Sequence, residues 1–150
     1  MKRITILAGH YGSGKTNIAV NLALYMKRKG IDTVIADLDI VNPYFRTKDS
    51  LEILNREGIK LISSEYANSN VDIPAIPQEM YSVVDDKTRH YIVDLGGDDR
   101  GAYALGRYAD KINEEDDFEM LFVFNKYRPL TPDAESALEV MREIEEASKV

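Results

Sequence analysis

With 150 residues, 44% apolar and 30% charged, the chain has the size and balance of one soluble globular domain with a single core. A net charge of −7 disfavours nucleic acid and anionic lipid as general partners, because both attract basic surfaces. Cysteine is absent, which excludes disulfides and thiolate zinc sites. No apolar run approaches the ~20 residues of a membrane helix. The apolar stretch after Met1 is too short for a signal peptide and runs at once into a glycine turn, so a cytoplasmic location is expected.

In chain order, Ile4–Ala8 reads as a buried strand and Thr16–Lys29 as a helix, with Ile18, Leu22 and Met26 at helical spacing and Gly30 past its end. Thr33–Leu38 reads as a second strand, Thr47–Glu57 as a helix closed by Gly58, and Lys60–Ser63 as a short third strand. Residues 73–78 carry two prolines and read as a loop before a modest helix near Glu79–Asp85. His90–Leu95 reads as a strand, with His90 half-exposed; Ala102–Asn113 reads as one helix and Phe118–Phe124 as a strand. Asp133–Ser148 reads as a helix with Ala134, Ala137, Leu138, Met141 and Ile144 on one side. Glu114–Asp117 reads as a solvated acidic turn. This alternation, with continuous apolar strands, predicts a three-layer α/β domain: a mainly parallel sheet covered by helices on both faces. The chain stops directly after a helix, as either a compact domain over 1–150 or a C-terminally truncated one would.

The first strand runs into GHYGSGKTN, residues 9–17, which fits G-x-x-x-x-G-K-[ST] without a mismatch. Glycines let the backbone curl so that successive N–H groups face phosphate oxygens. The helix that follows adds its unpaired N–H groups and the positive end of its dipole. Gly12, Ser13, Gly14, Lys15, Thr16 and Asn17 are therefore the candidate nucleotide contacts. Lys15 is placed for the β- and γ-phosphates, Thr16 for Mg²⁺ through its hydroxyl, and Asn17 for an α-phosphate. Two acidic sites belong with this loop. Asp37 and Asp39 end the second strand, and Asp94 ends the strand HYIVD. A carboxylate fixed at a strand end suits a Mg²⁺ ligand, which points to Asp94. Asp94 and Gly97 also have the spacing of a switch whose glycine N–H senses a γ-phosphate. Asp37 reads as structural.

Together GHYGSGKTN, DLDIVNP and VDLGGD resemble the MinD/ParA branch of phosphate-loop NTPases, the group that includes nitrogenase iron protein and CobQ/CobB-type enzymes. The resemblance runs from Ile4 to about Ala134. It implies the phosphate-loop NTPase fold, ATP as ligand, Mg²⁺ as cofactor, and slow ATPase or switch activity. It often also implies a homodimer with nucleotide at the interface, and a protein partner that reads the switch. By resemblance, Asp39 orients the attacking water and works with Lys15 in catalysis. Asp37, Asp39, Asp94 and Gly97 form the switch, and Thr16 and Asp94 hold the metal. The branch carries a second lysine after the first loop glycine to reach across its dimer. Here that position is His10, which lacks a fixed cation.

A guanine reader needs N-K-x-D, whose Asp accepts from the ring. Here the corresponding run is Asn125-Lys126-Tyr127-Arg128, and Arg has no acceptor, which favours ATP over GTP. Asn42 to Arg46 reads as either a mobile switch segment or a packed loop. Tyr103 and Tyr108 read as packing residues. Two other functions fit the same residues. One is an ATP-dependent metabolic enzyme of the CobQ/dethiobiotin-synthetase kind, with a substrate pocket near Asp39, Asn42 and Arg46. The other is a nucleotide-binding module that does not hydrolyse.

Overall fold

A computed structural model describes residues 1–38, 48–63, 78–96 and 99–150, and the expected alternation is what they form. In chain order the elements are β1 (Ile4–Ala8), α1 (Lys15–Arg28), β2 (Thr33–Asp37), α2 (Lys48–Arg56) and β3 (Lys60–Ser63). A 3₁₀ turn (Gln78–Tyr81) then runs into α3 (Ser82–Asp85) and β4 (His90–Asp94). The chain closes with α4 (Asp99–Gly106), α5 (Ala109–Glu115), β5 (Phe118–Phe122) and α6 (Ala134–Ser148). The strands form one sheet in the order β3–β2–β4–β1–β5. Every neighbouring pair is parallel.

Side-chain alternation divides the core between the two sheet faces. Ile4, Ile6 and Ala8 of β1 point with Val34, Ala36, Tyr91 and Val93 toward α3, α4, α5 and α6. Leu7, Ile35 and Ile92 point the other way, toward Ala19, Ala23 and Met26 of α1 and Leu54 of α2. The inner face of α1 is thus built on two alanines and a methionine, which lets the helix lie close to the sheet. Ile18, expected inward, lies on the outer side and is 42% exposed. In α6 the buried positions are Ala137, Ile144 and Ser148, while Leu138, also expected inward, is exposed. The coverage expected of both faces fails at β5, an edge strand. Phe118, Met120 and Phe122 pack on the α4–α6 side, but Leu121 on the opposite side is exposed.

The helix expected over Ala102–Asn113 is two helices, α4 and α5. The break follows Gly106, a weak helix former, where a Cβ would lie 3.3 Å from the Ser148 carbonyl oxygen. Tyr108 then turns inward, its N–H bonded to the Leu105 oxygen (2.8 Å) and its ring edge-on to Tyr81 at 5.2 Å. Tyr108 therefore packs as expected, while Tyr103 is exposed. The acidic turn at Glu114–Asp117 is not simply solvated. Glu115 pairs with both Arg3 and Lys87. The Arg3 hydrogen bond is the main cause of the lowered pKa of the Glu115 carboxyl.

His90, expected to be half-exposed, is buried. The reason is strand order: β4 lies between β2 and β1, so even its first residue is covered. The Thr5 hydroxyl donates to Glu119 Oε1 (3.1 Å) and stands 3.3 Å from His90 Nε2. Burial pushes the imidazole below the ordinary histidine range, with the amino terminus and Arg3 adding to this and Glu119 and Asp117 opposing it. The unfolded chain therefore takes up the proton more readily than the folded one. Stability is full above about pH 6.5 and falls as pH drops below it, by at most about 1.4 kcal/mol per pH unit. Urea unfolding between about pH 7.5 and about pH 5.5 should show this loss, and His90→Gln should flatten it.

Candidate functional site

A parallel sheet brings the carboxyl ends of its strands to one edge, where α/β proteins place their ligand sites. Three of those ends meet here. In the β2–β4 and β1–β4 registers, Asp37 and Leu7 both stand level with Asp94. Both carboxylates are buried, Asp37 at 3% exposure and Asp94 at 2%.

The loop leaving β1 carries positive φ at Gly9 (141°), Gly12 (75°) and Gly14 (101°). Gly9 is also confined by its neighbour: a Cβ there would stand 2.1 Å from the Val123 carbonyl oxygen. The His10 carbonyl closes the loop by accepting from the Ser13 N–H (3.2 Å) and from Lys15 Nζ (3.2 Å). Lys15 is buried, so its ammonium is held across the loop. Gly14 caps α1 without a side-chain hydrogen bond, and no acidic residue lies in the first turn. No acidic residue of that turn competes for the leading N–H groups of this helix, which suits an anion. Ser13 Oγ is buried with no hydrogen-bond partner among the described residues, a donor that a phosphate oxygen would satisfy.

The Thr16 hydroxyl donates to Asp94 Oδ2 at 2.6 Å. This bond joins the first turn of α1 to the end of β4, residues 78 positions apart in sequence. A hydroxyl and a carboxylate are hard oxygen donors, the kind Mg²⁺ uses when phosphates and water complete its shell. Among the described residues, no group of three or more His, Cys, Asp or Glu could hold a metal without such help. The geometry therefore brings Gly12, Ser13, Gly14, Lys15, Thr16, Asp37 and Asp94 to one edge. Asn17 is exposed on α1. Asp39, Gly97 and the segment from Asn42 to Arg46 lie outside the described residues.

A sequence model of the CobQ/CobB/MinD/ParA nucleotide-binding domain matches residues 4–150. The chain belongs to that family. It is thus a phosphate-loop nucleotide-binding domain. A comparison with curated proteins finds no match. Among solved structures, the signal recognition particle receptor FtsY from Elizabethkingia anophelis is similar in fold, with a TM-score of 0.56 and 20% identity. The match covers 98% of this chain and 47% of that receptor. Chloroplast FtsY from Physcomitrella patens matches at 16% identity and a TM-score of 0.41, over 99% of this chain and 36% of its own. This family member therefore spans less than half the length of either receptor. No described helix is long and apolar enough to cross a membrane.

One neighbour of the loop was not expected from the sequence. In the sequence Arg128 stands out only as a residue lacking an acceptor, yet its Nε donates to the Gly12 oxygen at 3.1 Å. The signal lay in strand order: with β5 beside β1, the turn after β5 must emerge next to the phosphate loop.

Proposed function

We propose that this domain binds ATP with Mg²⁺ and hydrolyses it slowly, as a switch read by a protein partner in the cytoplasm. The Thr16–Asp94 hydrogen bond beside the buried Lys15 carries the reading. A hydroxyl and a carboxylate meet where the loop donors converge, which is what a metal–triphosphate needs. Gly12, Ser13 and Gly14 offer backbone N–H groups to the phosphates. Lys15, whose ammonium meets the His10 carbonyl, would offer its remaining donors to phosphate oxygens. Thr16 and Asp94 would hold Mg²⁺, which when bound would offset charge on the phosphates. Asp39, two residues beyond the end of β2, orients the attacking water, in keeping with the family resemblance of DLDIVNP. Asp37, buried at the end of β2, and Gly97 complete the switch. ATP rather than GTP is supported by Arg128, whose guanidinium has no acceptor for the guanine edge and is already engaged on Gly12.

Phosphate release from Mg²⁺·ATP and Mg²⁺·GTP on the purified chain tests this reading, with Asp39→Ala beside it. We expect ATP to be preferred. Asp39→Ala should keep ATP binding while turnover falls by roughly a hundredfold. Faster turnover of GTP would sink the ATP assignment, and unchanged turnover in Asp39→Ala would sink the role of that residue. Tight binding without any phosphate release would make the domain a non-hydrolysing module.

A further inference from the structure

The turn after β5 is braced internally before it meets the phosphate loop. Its Asn125 carbonyl accepts from the Arg128 N–H (2.9 Å) and from Thr131 Oγ1 (3.1 Å), and Asn125 Oδ1 accepts from the Tyr127 N–H (3.0 Å). The Thr131 N–H closes the turn on the Arg128 oxygen at 3.2 Å, and Thr131 is buried. Just upstream, the Val123 N–H donates to the Ala8 oxygen at 2.7 Å. The turn is thus anchored at both ends.

From this base Arg128 reaches Gly12. Its Nε donates to the Gly12 carbonyl, and a Cβ on Gly12 would stand 2.6–2.7 Å from three guanidinium atoms. Glycine at this position leaves the guanidinium room to sit where it does. The consequence follows from peptide planarity. In a trans peptide the C=O and the next N–H point in opposite directions. Holding the Gly12 carbonyl toward Arg128 therefore turns the Ser13 N–H the other way, into the loop, where it meets the His10 oxygen. Glycine at φ 75° resists a peptide flip weakly, so the Ser13 bond to the His10 oxygen on one side and the Arg128 bond on the other together hold this orientation.

We propose that Arg128 is a positioning residue of the phosphate site. It holds the Gly12 carbonyl outward, which keeps the Ser13 N–H on the inner side of the loop, and adds a permanent positive charge beside the loop. The inference rests on the phosphate-binding reading above. A lysine at 128 would keep the charge but not the planar fork that meets a carbonyl beside a glycine.

Amide hydrogen exchange on the ligand-free chain, read at residues 10–14, tests the hold without any nucleotide. Arg128→Ala and Arg128→Lys should both exchange faster at Ser13 by roughly fivefold, the equivalent of one net hydrogen bond. Protection in β1 and β4 and the melting temperature should stay unchanged. ATP affinity should fall about fivefold in Arg128→Ala, and Arg128→Lys should recover part of it at low salt while leaving the loop loose. Unchanged Ser13 protection in Arg128→Ala would overturn the proposal, as would a loosened loop with full ATP affinity. Should the parent chain bind no ATP at all, the proposed function fails instead, and the exchange measurement alone decides on Arg128.

Discussion

Lys15→Ala is expected to remove nucleotide binding while leaving the fold in place. The ammonium is carried into the loop, held on the His10 carbonyl with Lys15 buried. An anion entering the loop would gain charge-assisted hydrogen bonds from it, each worth about 1.5–3 kcal/mol. Losing two such bonds weakens binding by about a hundredfold or more. The sheet packs through β1 and the inner face of α1, at Ala19, Ala23 and Met26, none of which Lys15 touches through its charge. Calorimetric titration of ATP, with far-UV circular dichroism as the fold control, reads the two effects separately. Near-parental ATP affinity in Lys15→Ala would remove the central role given to the loop.

Asp94→Asn should do something different: abolish the dependence of binding on Mg²⁺. Asparagine keeps the shape of the side chain and can still accept from the Thr16 hydroxyl, so the bond from α1 to β4 survives. What is lost is the negative charge that draws a hard cation to that oxygen. In the parent, ATP affinity should rise by about tenfold or more on adding Mg²⁺, the equivalent of at least about 1.4 kcal/mol. In Asp94→Asn the two titrations should nearly coincide. A variant that keeps the full Mg²⁺ enhancement would move the metal away from Asp94.

The parts of this account that were legible in sequence are those whose signal is local. β1 and β3 fall on the expected residues, and α6 starts after the expected Asp133, whose side chain accepts from the Ser136 N–H. The phosphate loop was readable because its glycines, lysine and threonine are contiguous. Asp94 was readable because an apolar strand ended on it. What escaped depends on elements far apart in the chain. Strand order covers His90 and leaves Leu121 open. The close approach of Gly106 to the end of α6 helps divide the expected α4–α5 helix. Periodicity alone could not choose between Ile18 and Ala19 as the inward residue of α1, because both lie on plausible stripes; in the fold it is Ala19 that packs with Leu7 and Ile92. Arg128 reaches a loop 116 residues earlier, a contact that only the pairing of β5 with β1 creates.

The most direct test is calorimetric titration of the intact chain with ATP, with and without Mg²⁺, followed by displacement with GTP. A single saturable site is expected, one that tightens with Mg²⁺ and from which GTP displaces ATP poorly. Absence of heat and of saturation under both conditions would contradict it, and the glycine turn after β1 would then be only a connection between strand and helix.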